Sequence, residues 1–493
     1  MSEPSGDNQT AGGPSQGQLS LWDTVSIIVG IVVGVTIFKL PWLIFLNVSD
    51  PWMALLVWVF GGFLALAGGL CYAELATTYP RSGGDYVYLT RAYAPWVGFL
   101  FGWAQLAVVL TASIGAMAFV FAENASNFYD LSQIADLGVS SDCLYAILAV
   151  VVIALLNIVG VTLGKWTQNL LTVAKVIGLG AIIFAGLFWK VESNPTEWRF
   201  AESGVGWGGL AMILVLYAYG GWNDAAFVAA EVRNAKRNIP LSLLLGIGLI
   251  TVIYLLVNAA YLTGLGFSAA RAPGAQLPQK LLEALFPDFG GRAISIIIMI
   301  SALGAVNGLT FTGTRVYATL GADYPFFSWL GHWKPGRGAP VLALLVQTVI
   351  TVGLIFALGT EEGHNAISQT LKQVGIEHAS EWKPGGAFDA LVTHSAPIFW
   401  VFFLLTGMSL FILREKDRGK VRPYSVPFYP ILPIVFCNMC VYMLYQATVY
   451  IGYRALFAVA LVALGVPLYF LSQLLGGYRE ESTFEERPTG DHP

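Results

Sequence analysis

The stretch "GIVVGVTIFKLP", residues 30–41, lies inside an apolar run that begins near Trp22 and is long enough to cross a bilayer. It nevertheless contains two glycines, a threonine, a lysine and a proline, which weaken a helix or are costly inside a membrane. A second apolar run, "LVLYAYGGWNDAAFV", carries Gly220 and Gly221 at its centre. Irregular backbone within a membrane is tolerated where it lines a cavity. These stretches therefore predict two broken helices around a cavity, unless the glycines only allow close helix packing.

The composition places the whole chain in a membrane. Of the 493 residues, 56% are hydrophobic and 11% are charged, whereas a soluble domain is about 25% charged. A membrane-crossing helix needs about 20 apolar residues, and we number twelve such runs as spans 1 to 12. They lie near residues 22–46, 51–78, 95–122, 142–161, 167–190, 207–230, 241–264, 291–320, 340–358, 391–413, 429–448 and 454–475.

The two weakened runs are spans 1 and 6, five spans apart. This spacing predicts an all-α integral membrane fold of twelve transmembrane helices, with an inverted five-plus-five repeat in which helices 1 and 6 are discontinuous. The first repeat would occupy residues 21–190, and the second residues 206–413 with a long outer loop at 359–390. Two accessory helices would follow within residues 429–475.

Both ends of the chain are polar. Residues 1–20 lack the basic start and apolar core of a signal peptide, so we expect them to form a disordered tail, with residues 476–493 as a second tail. Most of the 26 Lys and Arg residues fall in the loops on the side of these tails. Because cytoplasmic loops carry the excess of Lys and Arg, the sequence predicts a multi-pass protein of the cell membrane with both termini in the cytoplasm.

Several long motifs resemble one known family. They are "GIVVGVTIFKLP" in span 1, "YAELATTYPRSGGDYVYLTRAYAP" after span 2, "AYGGWNDAAFVAAEVRNAKRNIP" in span 6 and "NGLTFTGTRVYATLGADYPFF" in span 8. Through them the chain resembles a bacterial member of the amino acid, polyamine and organocation (APC) superfamily, close to the L-type amino acid permeases. The resemblance implies a secondary active amino acid permease that is sodium-independent, proton-coupled and works by alternating access. The alternatives are an amino acid exchanger or a carrier of amines or polyamines.

The resemblance also implies how the broken spans hold an amino acid. Backbone amides near Thr36 would bind the carboxylate, and carbonyls near Val32, Tyr217 and Gly220 would bind the ammonium. Tyr217 would close over the substrate, unless its ring only packs in the core. Asn223 would donate to the substrate or hold the unwound segment. The substrate-binding residues implied in this way are Val32, Gly34, Val35, Thr36, Ile37, Tyr217, Ala218, Gly220 and Asn223.

The sequence departs from the family pattern at the first break. Most relatives read Gly-Ser-Gly-Ile-Phe where this chain reads "GVTIF", so Val35 replaces a hydroxyl residue and Thr36 replaces a glycine. Thr36 either restores the lost hydroxyl one position later or narrows the site. Lys39 follows, either as a lysine that snorkels to the outer surface or as part of an outer gate.

Lys175 stands among apolar residues in "LLTVAKVIGLGAII" of span 5. An ionisable group inside a membrane is a functional hypothesis by default. The resemblance implies that its ammonium takes the place where sodium-coupled relatives bind an ion between helices 1 and 8, which makes it the coupling residue. Snorkelling of the side chain to the membrane surface is the alternative.

Two carboxylates lie near the predicted cytoplasmic ends of spans 2 and 6. Glu74 and Glu231 are expected either to be solvated at the membrane boundary or to pair with basic residues and hold the inner side closed. The candidate partners are Arg81, Arg91, Arg233 and Arg315. We predict Glu231 and Arg315 as the inner gate.

No catalytic or metal site is predicted. Cys437 and Cys440 form a "CNMC" pair, but no second pair or nearby histidine completes a tetrahedral site. A membrane enzyme would bring a nucleophile and base into the spans, and a receptor would bring a further domain. We therefore predict a protein that is not an enzyme, with no cofactor and no nucleic-acid partner. Its expected partners are an amino acid, the lipid bilayer and, under proton coupling, a proton; the sequence predicts no oligomeric state.

Overall fold

The chain is helical throughout the part that the structure, a computed structural model, describes. Within that part no named strand occurs, and the β-type pairing is an isolated bridge between Leu19 and Val232. The predicted all-α class is confirmed. The described residues are 17–131, 139–188, 197–198, 209–333, 339–373, 387–452 and 455–479. Parts of the two predicted tails and of the predicted outer loop therefore lie outside the described residues, namely 1–16, 480–493 and 374–386.

The helices are numbered in chain order. Up to residue 188 they are α1 (Leu21–Val32), α2 (Thr36–Lys39), α3 (Pro41–Leu46), α4 (Pro51–Thr78), α5 (Asp85–Ala92), α6 (Pro95–Ala104), a π-helical turn (Gln105–Val109), α7 (Leu110–Ser126), α8 (Ser141–Val159) and α9 (Val161–Phe188). From residue 209 they are α10 (Gly209–Ala218), a 3-10 helix (Trp222–Glu231), α11 (Ala235–Leu265), α12 (Phe267–Ala270), α13 (Leu277–Leu285), α14 (Gly290–Asp323), a 3-10 helix (Pro325–Gly331), α15 (Val341–Gly359), α16 (Glu361–Gln373), α17 (Ala387–Lys416), α18 (Ile431–Ile451), α19 (Ala455–Ala463) and α20 (Gly465–Leu474).

Nine helical segments of the described residues are long and apolar enough to cross a membrane. They correspond to nine of the predicted spans. Spans 1, 6 and 12 are each divided into shorter helices, because the chain leaves helical geometry inside them. The membrane class therefore rests on these long helices, while the count of twelve crossings and the inverted repeat stay predictions.

The first break follows a well-defined helix start. Ser20 caps α1: its hydroxyl accepts from the Asp23 amide at 3.2 Å, and the Asp23 carboxylate accepts from the Ser20 amide at 2.9 Å, which is a capping box. The helix ends at Val32, and regular helix resumes at Thr36. The predicted discontinuity in span 1 is therefore present in the backbone.

The second break requires a glycine. Gly221 has φ of +106°, a conformation that residues with a side chain rarely adopt. A Cβ atom placed there would lie 2.7 Å from Cγ2 of Ile31, closer than two carbon atoms can pack. Gly221 thus satisfies two conditions at once: it turns the backbone of span 6, and it lets this break lie against the break of span 1.

The helices around α1 hold both breaks inside the bundle. α1 packs against α9, α11 and α14, so its broken end is enclosed on three sides. α9 presents large apolar side chains outward at helical spacing, including Trp166, Leu170, Val173 and Ile177. Such a continuous apolar face on a soluble surface would be unusual, and here it is the expected lipid-facing side of a membrane helix.

Some predicted boundaries were wrong by a few residues. Span 5 was predicted to begin near residue 167, whereas α9 begins at Val161. The polar residues of "VTLGKWTQN" hid this extra length, because an apolar pattern cannot detect a helix whose first turns are polar. Lys175 consequently lies about four turns into its helix rather than two.

Replacing Gly221 by alanine should lower the stability of the protein, because alanine would adopt a left-handed conformation and collide with Ile31. Strained backbone of this kind costs about 1–3 kcal/mol. The melting temperature of the purified protein in detergent measures the effect. Gly248→Ala is the matched control, since a Cβ at Gly248 meets nothing within 4 Å. Equal losses in the two variants would contradict the role assigned to Gly221.

Candidate functional site

The two helix breaks face one cavity of about 160 Å³. This exceeds the roughly 15 Å³ that one buried water needs, so the cavity can hold a small organic molecule. Besides the breaks, its wall includes the π-helical turn after α6, the first turns of α7, two residues of α14 and the early part of α17. The cavity therefore lies where spans 1, 3, 6, 8 and 10 meet.

Most of the predicted substrate-binding residues line this cavity. Ile37 does not: its side chain is fully buried outside the cavity wall, because successive side chains of a helix point in directions about 100° apart. The predicted residues in the wall are Val32, Gly34, Val35, Thr36, Tyr217, Ala218, Gly220 and Asn223. The sequence also missed several polar and aromatic wall residues, among them Gln105, Ser113, Asp224, Ser395 and Trp400.

Backbone amides at the start of α2 are available on one side of the cavity. Among the described residues, no backbone carbonyl accepts from the amides of Val35, Thr36 or Ile37, whereas Gly34 donates to Val32 O at 2.7 Å. The first amides of a helix have no partner within the helix and carry its positive dipole end. They are a suitable place for an anion.

Tyr254 of α11 contacts the last carbonyls of both α1 and α10. Its hydroxyl is 2.9 Å from Val32 O and 3.0 Å from Ala218 O. A hydroxyl donates one hydrogen bond, so it can serve only one of these carbonyls at a time. This contact could not be predicted from the sequence, because Tyr254 stands in an ordinary apolar run, "LITVIYLLVN".

The ammonium of Lys175 reaches the first break. Lys175 is fully buried, and its Nζ donates to Gly30 O at 2.8 Å. In an unbroken helix this carbonyl would accept from the amide of Gly34, which instead bonds to Val32. A cation near the last turn of a helix is favoured by the helix dipole. Because Nζ points to the break and not to the membrane surface, the snorkelling alternative is wrong.

Glu231 and Arg315 form a buried, bidentate ion pair. Arg315 donates to Glu231 from Nε at 2.8 Å and from Nη2 at 3.1 Å, and both side chains are 2% exposed. The guanidinium also lies 3.8 Å from the centre of the Phe311 ring. The pair joins span 6 to span 8 at the side of the bundle where Leu19 bonds to Glu231 and Arg233, which we call the tail side.

Glu74 pairs with basic residues, which was one of the two expectations, but not with the four arginines given as examples. Glu74 accepts from Arg414 at 2.8 Å and lies 3.4 Å from Arg422, and neither arginine was among the candidates. These residues are about 340 positions apart in the chain, so local sequence pattern could not pair them. The interaction ties α4 to the end of α17 on the tail side.

Further ion pairs join other helices on the tail side. Arg81 pairs with Asp323, and Arg91 with Asp417 at 2.6 Å. Burial by itself would raise the pKa of Asp417, but hydrogen bonds from Arg91 and Tyr79 outweigh it and lower the pKa. Asp417 therefore stays ionised at neutral pH, and this contact between α5 and the end of α17 stays charged.

Lys39 forms an ion pair on the opposite side of the bundle. Its Nζ lies 2.8 Å from Glu123 of α7 and 5.3 Å from the ring centre of Phe388 in α17. Both members of the ion pair are partly exposed. Lys39 thus connects the outgoing half of span 1 to spans 3 and 10.

Comparison with known proteins identifies the family of this chain. Residues 19–466 match the model of the family described as "Amino acid permease". The chain belongs to this family. Membership confirms the resemblance to APC superfamily permeases that the motifs implied.

Individual relatives align over most of their length. The Serine/threonine exchanger SteT of Bacillus subtilis is 30% identical over 421 residues, 85% of this chain and 88% of that protein. The b(0,+)-type amino acid transporter 1 of Homo sapiens is 29% identical over 469 residues, 92% and 88% of the two chains. The Large neutral amino acids transporter small subunit 2 of Homo sapiens is 27% identical over 476 residues, 92% and 80%. Two are named as transporters and one as an exchanger, and none is named as an enzyme; together with the family match, this places the chain among amino acid transporters.

Glu231→Gln should destabilise the protein by about 3–5 kcal/mol, because it leaves the buried Arg315 charge without its partner. The control is Glu123→Gln, which breaks the partly exposed pair with Lys39 and should cost less than about 1 kcal/mol. Thermal unfolding of both variants in detergent compares them. Similar melting temperatures for the two variants would show that burial of the Glu231 pair has no energetic consequence.

Proposed function

We propose that this protein is a secondary carrier that moves α-amino acids across the cell membrane by alternating access and without sodium. The observation that carries the proposal is the cavity between two helix breaks, with free amides on one side and helix-end carbonyls on the other. An amino acid zwitterion must lose its water to cross, and these backbone groups replace the water at little cost.

The zwitterion fits the site in one orientation. Its carboxylate takes the amides of Val35, Thr36 and Ile37, and its ammonium takes carbonyls at the second break. Ala218 and Gly220 are the better acceptors in this arrangement, because Val32 O accepts from Gly34 and lies within reach of Tyr254 as well. Within this proposal, the ring of Tyr217, at the last turn of α10, closes over the bound substrate.

The ion pairs of the tail side support alternating access. We infer that the tail side faces the cytoplasm and that both termini lie there, in agreement with the distribution of Lys and Arg in the sequence. On this inference, the inner gate of Glu231 and Arg315 is closed, and the cavity extends away from it toward α7 and the start of α17. Substrate would enter from outside, and opening the inner side requires these ion pairs to separate.

The inferred architecture is an inverted repeat of two five-span halves with two accessory helices. Its support is the presence of breaks in spans 1 and 6 and their direct approach at Gly221 and Ile31. In this arrangement residues 21–190 form the first half, 206–413 the second, and 429–475 the accessory pair. Rocking of one half against the other would expose the cavity to each side in turn.

Lys175 supports independence from sodium. Its ammonium supplies a positive charge at the Gly30 carbonyl, between spans 1 and 5 and beside Gly304 of span 8. A proton that leaves and returns to Lys175 in each cycle would give proton symport. A permanently charged Lys175 would give exchange, which is the second candidate because the relative from Bacillus subtilis is named as an exchanger.

Amidation of the substrate carboxylate should weaken binding. An amide lacks the negative charge that the α2 amides favour, at a cost on the order of 1 kcal/mol or more. The melting temperature measures this, because a ligand at a hundredfold excess over Kd stabilises the folded state by about 2.7 kcal/mol. Equal stabilisation by an amino acid and its amide would refute the carboxylate site and favour carriers of amines.

Uptake into proteoliposomes should proceed without sodium and should be lost in Lys175→Ala. The variant leaves the buried Gly30 carbonyl without its donor and removes the charge at the break. Uptake of a mixture of radiolabelled amino acids, with and without sodium and with an imposed pH gradient, tests both statements. Lys280→Ala, which removes an exposed lysine of α13, is the control. A strict sodium requirement, or normal uptake by Lys175→Ala, would remove Lys175 from the mechanism.

A further inference from the structure

Asp224 places a buried carboxyl group in the wall of the cavity. It lies in the first turn after the second break and is 5% exposed. Among the described residues that line the cavity, Asp224 is the one with a carboxyl group, and none is a lysine, an arginine or a histidine. Lys175 is not part of the wall, and its ammonium is bound to Gly30.

No basic side chain of the described residues pairs with Asp224. Its hydrogen-bond donor is the neutral side-chain amide of Asn223, at 3.0 Å. A carboxylate that is taken out of water without a cation carries a large cost. Asp224 therefore carries its negative charge at a large cost while the cavity is empty, and a cation that enters the cavity would remove that cost.

Several polar groups of the cavity wall can accept hydrogen bonds. Asn223 donates through Nδ2 to Asp224, and its Oδ1 is buried with no donor among the described residues. Ser113 and Ser395 also line the cavity, and each uses its hydroxyl hydrogen on a carbonyl of its own helix, at 2.8 Å and 3.0 Å. Their oxygens can accept but have no hydrogen left to donate. These oxygens of Asn223, Ser113 and Ser395 can accept from a ligand that brings several N–H donors.

A position in the first turn of a helix explains only part of this arrangement. The helix dipole favours an acidic side chain there, but that interaction is weak compared with the cost of burying an unpaired carboxylate. The helix dipole also provides no donor for Asn223 Oδ1, which is buried without a hydrogen-bond partner among the described residues. Both groups are satisfied together by a cationic donor in the cavity.

We propose that Asp224 and Asn223 form a subsite for the guanidinium or ammonium side chain of a basic amino acid. The proposal rests on the proposed function, because the backbone of the breaks must hold the α-carboxylate and α-ammonium groups first. Those two groups cancel in charge, so a neutral amino acid leaves Asp224 uncompensated. A basic amino acid supplies the missing positive charge, and Asp224 then determines specificity.

Arginine and citrulline test the subsite in the wild-type protein. Citrulline has nearly the same shape as arginine but replaces the guanidinium by a neutral urea group. Binding to the purified full-length protein is measured by thermal shift, and transport by competition in proteoliposomes. Because a hydrogen bond to a charged group is worth more than a neutral one, L-arginine should bind about tenfold or more tightly than L-citrulline. For the same reason, L-lysine should bind more tightly than L-norleucine.

Asp224→Asn should bring the ratio of arginine to citrulline affinity close to one while citrulline still binds. Asp288→Asn, which removes an exposed carboxylate before α14, should leave the ratio unchanged, and Asp224→Glu should keep a preference for arginine. The wild-type comparison decides the question even if Asp224→Asn fails to fold.

The outcomes separate the two proposals. If neutral amino acids bind but arginine is no better than citrulline, or if Asp224→Asn keeps the full preference, the basic subsite is refuted while the amino acid carrier stands. If no α-amino acid binds or is transported by the wild-type protein, the proposed function itself is refuted.

Discussion

The structure depends on a helix that ends inside the membrane. When α1 stops at Val32, its last carbonyls lose the amides four residues further on that a continuing helix would supply, and the bilayer offers no water to replace them. Three neighbouring helices each supply a side-chain donor instead. The donors and their carbonyls are Lys175 with Gly30 at 2.8 Å, Tyr254 with Val32 at 2.9 Å, and Ser301 with Val33 at 3.1 Å. The broken end is thereby fixed to α9, α11 and α14 at once, which explains why these helices surround it.

The breaks themselves could be predicted from the sequence because their cause is local. Glycines in the middle of two apolar runs mark both positions, and Gly221 proves to be required by its backbone angle and by its contact with Ile31. Most of the cavity wall follows from the same two stretches, since residues beside a break necessarily line the space that it opens. Ile37 is the exception, because helical geometry resumes at Thr36 and turns the next side chain away.

Contacts between distant parts of the chain were harder to predict from the sequence. The pairing of Glu231 with Arg315 was anticipated from motifs of a known family, but that of Glu74 with Arg414 was not, since nothing local relates α4 to the end of α17. Asp224 is a similar case. From sequence it is an ordinary acid at the start of a helix, and only the three-dimensional arrangement shows that it faces a cavity with no basic side chain in its wall among the described residues.

Tyr254 gives the junction of the two breaks an unusual property. One hydroxyl hydrogen lies within reach of carbonyls from two different broken helices, so at any instant one of them lacks this donor. Rotation about a single C–O bond transfers the hydrogen between them without moving the ring, which is fixed by edge-on contacts with Trp58 and Tyr219. The junction thus has two arrangements that differ only in the position of one hydrogen. A ligand that donates to one carbonyl would favour the arrangement in which the hydroxyl donates to the other.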